Sequence, residues 1–339
     1  MQARYDVYGV GNALVDTEMQ VGDGVLSTHG LRKGFMTLVT HDHQDGLLRG
    51  LGEFQASRAA GGSAANTMVG VAQFGGRAFY TGKVGADMTG ALYRESMAEA
   101  CVEFDVEASD GAATGTCLIL VTPDGERTMQ TSLGASAGLT ARDVQPDKIA
   151  ASKVVYVEGY LWGSPGTRAA AEHAMELAKR NGVTVALSLS DPGMVEAFGD
   201  EFRRVAKSLV DIVFCNEQEA RFYTGGGGSR EHVLRRIGGE AKQVFMTCGG
   251  DGSLVYDGGR IERVAPYKVR VVDTTGAGDV YAAGVLYGLT HGMSVAQAGK
   301  LGSFASALII TTMGPRLRHP LAAHVRDILD GADPANYRK

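Results

Sequence analysis

The chain has 339 residues, of which 44% are hydrophobic and 21% charged, an ordinary composition for a globular protein with a sizeable core. Its formal net charge of −5 and the lack of any Lys/Arg-dense run argue against a nucleic-acid-binding protein. No apolar stretch approaches the roughly 20 residues of a membrane span, and the charged amino terminus, Met1-Gln2-Ala3-Arg4-Tyr5-Asp6, lacks the apolar core of a signal peptide.

The first fifty residues predict one buried strand followed by half-buried strands. Residues 5–11 form a short apolar run typical of a buried strand, which would deliver Asn12 and Asp16 to its carboxyl end. Residues 17–40 show short polar–apolar alternations without a long helix, which favours a small antiparallel sheet beside the main fold. A helix is expected over residues 41–51.

A glycine turn then leads into a helix. Gly61 and Gly62 precede Ser63-Ala64-Ala65-Asn66, and helical periodicity continues to Phe74. The glycines allow a ligand to approach the backbone, and the amide of Asn66 can both donate to and accept from a hydroxyl group. The alternative is that Asn66 only caps the helix.

The next segment predicts further strands and a hairpin. Residues 79–100 favour a strand followed by a helix. Two strand-like runs flank the tight-turn sequence Pro123-Asp124-Gly125 and together predict a β-hairpin. We assign residues 17–40 and about 103–132 to a small β-sheet lid inserted in one α/β domain that spans residues 1–339.

From residue 154 onward, strands alternate with helices. Such alternation predicts an α/β fold with a mostly parallel central sheet covered on both faces, and with ligands at the carboxyl ends of the strands. Helices over about 295–310 and 320–329 would close the domain. The strands are expected at residues 154–157, 183–187, 212–215 and 244–247.

The most distinctive stretch is Val271-Val272-Asp273-Thr274-Thr275-Gly276-Ala277-Gly278-Asp279. Its two valines suit the end of a strand, and a helix is expected from Asp279 to Leu289. The backbone N–H groups of a glycine turn that opens a helix favour phosphate. A carboxylate there repels phosphate, which makes sense if Asp279 takes a proton during phosphoryl transfer. The alternative is that Asp279 only places negative charge in the first helical turn.

This stretch closely resembles the second signature of the ribokinase-like (PfkB) family of sugar and nucleoside kinases. Residues 60–74 resemble the first signature, although Met68 stands where a small residue is usual. The resemblance covers nearly the whole chain. It implies a three-layer α/β/α fold with a small β-sheet lid, and a kinase that uses ATP and Mg²⁺.

The resemblance also implies a role for each site residue. Asp279 would be the catalytic base, and the N–H groups of Gly276, Ala277 and Gly278 would form an anion hole. The residues implied in acceptor binding are Asn12, Asp16, Gly61, Gly62, Asn66, Cys117 and Tyr160. Those implied on the nucleotide side are Asn216, Glu219, Thr247, Gly249 and Gly252.

Two cation sites are implied as well. Glu219 would organise the Mg²⁺ shell through water, and Asp273 with the carbonyl of Thr275 marks an optional monovalent cation site, for example for K⁺.

From the residues alone, Asn216 is equally suited to cap a helix with an acid-rich first turn. Asp16 alone suits an ordinary loop acid, and Tyr160 alone suits packing in the core or at a rim.

Within the family, the chain is similar to adenosine-kinase-like members. The segments that carry this similarity are Asn12 to Asp16, Thr114-Gly115-Thr116-Cys117, Gly159-Tyr160-Leu161-Trp162 and Leu187 to Pro192. The implied reaction is phosphorylation of the 5′-hydroxyl of a purine nucleoside. A sugar kinase of the ribokinase or fructokinase type is the alternative, and Arg127 near the hairpin turn suits either a phosphate or an anionic sugar. A protein that binds without turnover should have lost Asp279 or the preceding glycines, which this chain retains.

The cysteines indicate the cellular compartment. Cys101, Cys117, Cys215 and Cys248 show no metal-ligand spacing, so reduced thiols in a cytoplasmic protein are expected. The expected partners are ATP and a small-molecule acceptor, with no nucleic acid and no membrane. Monomer and homodimer both remain open.

Overall fold

The computed structural model describes residues 3–52 and 54–337. Met1 and Gln2, which entered the argument against a signal peptide, lie outside the described residues. The strands, in chain order, are β1 (Tyr5–Val10), β2 (Leu14–Gln20), β3 (Met36–Leu38), β4 (Ala56–Gly61), β5 (Ala78–Thr81), β6 (Val102–Glu103), β7 (Gly115–Val121), β8 (Arg127–Ser132), β9 (Ser152–Glu158), β10 (Thr184–Ser188), β11 (Ile212–Asn216), β12 (Gln243–Thr247), β13 (Ser253–Asp257) and β14 (Arg260–Val264).

Several helices begin where the sequence offers a cap or a first-turn proline, such as Thr40, Pro165 and Pro192. They are α1 (Asp23–Thr28), α2 (His41–Gly50), α3 (Ser63–Gln73), α4 (Met88–Glu99), α5 (Pro146–Ala150), α6 (Pro165–Arg180), α7 (Pro192–Ser208), α8 (Glu217–Thr224), α9 (Arg230–Gly238), α10 (Ala277–Thr290), α11 (Val295–Ile309) and α12 (Val325–Asp330). The last is shorter than the helix predicted over 320–329.

A large sheet forms the middle layer. Within the described part of the chain its order is β14-β13-β12-β11-β10-β9-β1-β5-β6, with parallel pairing from β12 to β6 and an antiparallel hairpin, β13–β14, at one edge. Successive residues of β1 pack into hydrophobic cores on opposite faces of the sheet. Tyr8 packs in the cluster that contains Ala170 of α6, and Val7 packs in the cluster that contains Met68 of α3. Burial on both faces is typical of parallel strands, and the predicted α/β/α layering is confirmed.

The segment before α10 differs from its prediction. Residues 265–276 form neither a strand nor a helix, so the strand expected to end at Val271 and Val272 is wrong. The Val272 N–H donates to the carbonyl of Ile310 at the end of α11 instead of to a neighbouring strand. Val271 is 44% exposed, so its β-branched side chain does not report burial in a sheet.

A second, smaller sheet has the order β3-β8-β7-β2-β4. The predicted hairpin is present as β7–β8, but the sheet is mixed rather than antiparallel, because β2 pairs in parallel with β7, and β3 with β8. Strand β4 also belongs to it, outside the two predicted lid segments, whereas β6 joins the large sheet. The sequence of β4, Ala-Ser-Arg-Ala-Ala-Gly, has no apolar alternation by which a strand is recognised.

Two of the contacts between the small sheet and the rest of the protein lie at its ends. The Met36 N–H donates to a carboxylate oxygen of Asp191 at 3.2 Å. At the hairpin turn, the Gly125 carbonyl accepts from the N–H and the hydroxyl of Thr274, at 3.3 and 2.7 Å. The sheet therefore spans from the start of α7 to the turn that precedes α10.

Across residues 3–52 and 54–337, no helix is both long enough and apolar enough to cross a bilayer.

Candidate functional site

A cavity of about 450 Å³ lies between the small sheet and the carboxyl ends of the large-sheet strands. Most residues singled out from the sequence line it. They are Asn12, Asp16, Gly62, Asn66, Cys117, Tyr160, Asn216, Glu219, Thr247, Gly249, Gly252, Thr275, Gly276, Ala277, Gly278 and Asp279.

Two of the predicted site residues lie behind the cavity wall. Asp273 is fully buried, and its carboxylate accepts from the N–H and hydroxyl of Thr275 and from the Gly314 N–H. Gly61 ends β4, where its carbonyl accepts from the Tyr93 hydroxyl at 2.9 Å. Neither residue lines the cavity, so any role of theirs is exerted through neighbours.

Asp279 lies in the first turn of α10, and its carboxylate contacts the other glycine-turn helix. One oxygen accepts from the Ser63 hydroxyl at 2.7 Å, and the other from the side-chain amide of Asn66 at 3.1 Å. Burial raises the pKa of Asp279, while these two hydrogen bonds and the charges of Arg127 and Arg316 lower it. The carboxylate is thus fixed by α3 and is not a solvated first-turn charge.

The turn before Asp279 presents backbone donors. The Ala277 N–H donates to the Thr274 carbonyl at 3.2 Å, whereas the N–H groups of Gly276 and Gly278 have no partner among the described residues. Glycine is required at Gly276, because its φ is 75° and a Cβ would lie 2.4 Å from the Pro315 carbonyl oxygen. At Gly278, a Cβ would meet nothing within 4 Å, so the cavity is open there. The two free amides at the start of a 14-residue helix suit an anion.

Unsatisfied acceptors also line the cavity. Asp16 is buried within β2, not in a loop after β1, and its carboxylate accepts no hydrogen bond from any described residue. Burial, followed by the charge of Glu18, raises its pKa well above the ordinary value. The side-chain oxygen of Asn12 is also buried without a partner in the described part of the chain. Buried acceptors without donors are costly, so the pair suits a ligand that brings hydroxyl donors.

An apolar wall continues from these acceptors. Cys117 and Ile119 of β7 and Met129 of β8 contribute from the small sheet, together with Met36 and Leu38 of β3. Burial raises the pKa of the Cys117 thiol, which therefore stays protonated as a small apolar group.

The ring of Tyr160 faces the same cavity from the end of β9. Its hydroxyl donates to the Ser190 carbonyl at 3.2 Å, which fixes the ring. The cavity thus combines a rigid aromatic face with the apolar wall of the small sheet.

Asn216 and Glu219 also line the cavity. The Asn216 N–H and side-chain amide donate to Glu219, at 3.0 and 2.6 Å, and the Glu219 N–H donates to the Asn216 side-chain oxygen at 2.8 Å. The helix cap considered from the sequence is therefore real. Burial raises the pKa of Glu219 to about 7. No cluster of three or more His, Cys, Asp or Glu side chains able to hold a metal occurs in residues 3–52 and 54–337.

Three further polar residues contribute to the cavity region. Glu158 ends β9, and its two oxygens accept from the N–H groups of Asn12 and Ala64, at 2.6 and 2.7 Å. Arg127 donates to the Thr274 carbonyl at 3.1 Å, and Arg316 donates to the Asn66 side-chain oxygen at 3.1 Å. Neither Glu158 nor Arg316 was predicted from the sequence. The single acid after the apolar run of β9 was the signal that could have indicated Glu158, whereas Arg316 follows no recognisable motif.

Comparison with known proteins shows the family and the fold. Residues 50–321 match the model of the pfkB family of carbohydrate kinases. The structure of adenosine kinase from Sinorhizobium meliloti superposes with a TM-score of 0.92 and is 40% identical, covering 96% of this chain and 99% of that one. A probable sugar kinase from Rhizobium etli gives a TM-score of 0.92 and 36% identity, with the same 96% and 99% coverage.

A curated relative extends the range of acceptors in the family. The 5-dehydro-2-deoxygluconokinase of Bacillus subtilis (strain 168) is 29% identical over 285 residues, which are 81% of this chain and 87% of that enzyme. Relatives named for a nucleoside and for a sugar thus share one fold with this chain. The chain belongs to the pfkB family of carbohydrate kinases and is a phosphotransferase with an alcohol group as acceptor.

Proposed function

We propose that the protein transfers the γ-phosphoryl group of ATP to the 5′-hydroxyl of a purine nucleoside. The observation that carries this proposal is the composition of the acceptor half of the cavity. Hydroxyl-binding groups, Asp16 and Asn12, adjoin the apolar wall and the ring of Tyr160. A ribose matches the first part and a base the second, whereas a free sugar would leave the apolar wall without a partner.

Asp279 is the base in this mechanism. It takes the proton of the 5′-hydroxyl as the oxygen attacks the γ-phosphorus, the bond to the β–γ bridging oxygen breaks, and ADP leaves. The free N–H groups of Gly276 and Gly278 hold the phosphoryl oxygens as negative charge develops. Asp16 and Asn66 form hydrogen bonds with the ribose hydroxyls, and closure of the small sheet over the cavity excludes water.

Glu219 and Asn216 would hold Mg²⁺ through its water shell. The buried carboxylate of Glu219 lines the cavity with its pKa raised to about 7, so a nearby divalent cation would offset an unfavourable charge. Bound to the nucleotide, Mg²⁺ supplies charge neutralisation on the phosphates.

A monovalent cation such as K⁺ fits less well. The carboxylate of Asp273 already accepts three hydrogen bonds, from the N–H and hydroxyl of Thr275 and from the Gly314 N–H, so it is stabilised without an ion. The proposed mechanism therefore does not include one.

A sugar kinase is the second candidate. Arg127 lines the cavity beside Glu126, where it suits an acidic sugar, and a relative is named 5-dehydro-2-deoxygluconokinase. A coupled assay of ADP release across adenosine, inosine, guanosine, cytidine, ribose, fructose and 5-dehydro-2-deoxygluconate separates the candidates. A purine nucleoside should give the highest kcat/KM, and a higher value for any free sugar would refute the nucleoside assignment.

Tyr160→Ala should raise KM for nucleosides about 10- to 100-fold, because base–aromatic stacking contributes roughly 1–3 kcal/mol. The KM for any free sugar that is turned over should change little. Tyr160→Phe is the matched control, since it keeps the ring and removes only the hydrogen bond to Ser190. Equal effects of Tyr160→Ala on both acceptor classes would favour the sugar-kinase assignment.

A further inference from the structure

Arg316 connects the loop after α11 to the base through one intermediate side chain. Its Nε donates to Oδ1 of Asn66 at 3.1 Å, and its Nη1 donates to the hydroxyl of Ser96 in α4 at 3.0 Å. Nδ2 of Asn66 in turn donates to Oδ2 of Asp279 at 3.1 Å. The chain of contacts runs from guanidinium to amide to carboxylate.

The chemistry of the guanidinium fixes the direction of this chain. Arginine donates hydrogen bonds and accepts none, so the atom of Asn66 that faces Arg316 must be the oxygen. The NH₂ group then faces Asp279, and its second hydrogen remains for an acceptor hydroxyl. With the amide turned over, its NH₂ group would oppose the guanidinium and its oxygen would oppose the carboxylate. Both contacts of the turned amide are unfavourable.

We propose that Arg316 is a positioning residue, which holds Asn66 in the single orientation that donates to Asp279 and thereby keeps the base in its ionised, proton-accepting form. This inference rests on the proposed function, because it assumes that Asp279 is the base. Arg316 itself does not line the cavity, so it acts through Asn66 and through its charge.

The surroundings of Asp279 determine the sign of the expected pH effect. Burial raises its pKa, and Ser63, Asn66, Arg127 and Arg316 all lower it. The other titratable groups that interact with it are Asp16, Tyr156, Glu158 and Tyr160. Removing Arg316 deletes a positive charge and releases the amide. Both changes disfavour the ionised carboxylate, so the pKa of Asp279 rises and activity is lost first at low pH.

The decisive measurement is kcat against pH for Arg316→Met with saturating ATP and acceptor. We expect kcat near pH 6 to fall by about tenfold or more relative to wild type, and to recover to within about threefold near pH 9. Arg316→Lys keeps the positive charge but not the Nε contact, so its kcat near pH 6 should lie between that of wild type and that of Arg316→Met. Added methylguanidine should partly restore kcat of the Met variant near pH 6. Ser96→Ala removes only the Nη1 anchor and should leave the profile unchanged.

A kcat that falls equally at every pH, or does not fall, would overturn the positioning role. If a thermal melt shows that Arg316→Met is not folded, the Lys variant gives the test. A wild-type dependence of kcat on pH in the Lys variant would then overturn the positioning role. Failure of the proposed function is recognised separately, since full activity of Asp279→Asn removes the base whatever Arg316 does.

Discussion

Asp279→Asn is expected to lower kcat by about 10²–10⁴-fold while nucleoside binding changes little, because the amide keeps the shape of the side chain but cannot take a proton. Its carboxylate oxygens accept from Ser63 and Asn66. In the variant the amide oxygen can still accept from Asn66 while the NH₂ group donates to the Ser63 hydroxyl oxygen, so the side chain keeps its position. Single-turnover kinetics with bound nucleoside and ATP separate the chemical step from binding. Equilibrium dialysis with the nucleoside alone checks that the acceptor half of the cavity remains intact.

The matched control is Asp327→Asn. Asp327 also lies in the first turn of a helix, α12, but it is exposed and its partner is His324 at 3.7 Å. Loss of that charge should leave kcat unchanged, since it affects only the helix dipole and the contact with His324, and neither residue lines the cavity. Full activity of Asp279→Asn would remove this carboxylate from the mechanism and leave its first-turn charge as its only function.

Gly61→Ala is the second change with a large expected effect, although Gly61 does not line the cavity. A Cβ at this position would lie 1.9 Å from a carboxylate oxygen of Asp16, whose strand β2 pairs with β4. The backbone of Gly61 is not in the left-handed region, so alanine strains the site through this contact alone. Displacement of Asp16 should remove its hydrogen bonds to the acceptor, each worth about 1.5–3 kcal/mol.

The expected result is a KM for the nucleoside that rises by about 10²-fold or more, with KM for ATP little changed. Gly46→Ala provides the control, because a Cβ on this α2 residue meets nothing within 4 Å. Initial-rate measurements over a grid of both substrates distinguish the two effects. An unchanged acceptor KM in folded Gly61→Ala protein would show that Asp16 does not grip the acceptor.

The parts of the site that were predictable from sequence are those in which local pattern and position coincide. The glycine turns before α3 and α10 fix both the backbone conformation and the residues that follow, so Asn66 and Asp279 were found together. Regular alternation of apolar runs with helices likewise predicted β9 to β12 and the edge of the sheet at which the cavity lies.

The remaining parts depend on tertiary contacts that leave no periodic signal. Strand β4 consists of small and polar residues and pairs only because β2 lies beside it. The N–H of Val272 is satisfied by the end of α11, so an apparently extended segment forms no strand. Arg316 reaches Asn66 across 250 positions of sequence, a contact that no local motif encodes.

The hydrogen bonds between Gly125 and Thr274 join the small sheet, which lines the acceptor half of the cavity in the proposed function, to the turn that would receive the phosphate. A displacement of the hairpin that covers the acceptor must move the residue two positions before Gly276, and with it the donors that would receive the phosphate. Occupancy of one half is then communicated to the other as a change in affinity, and by linkage the effect is reciprocal. Nucleotide and acceptor should therefore bind synergistically, so that the complete site forms only when both are present.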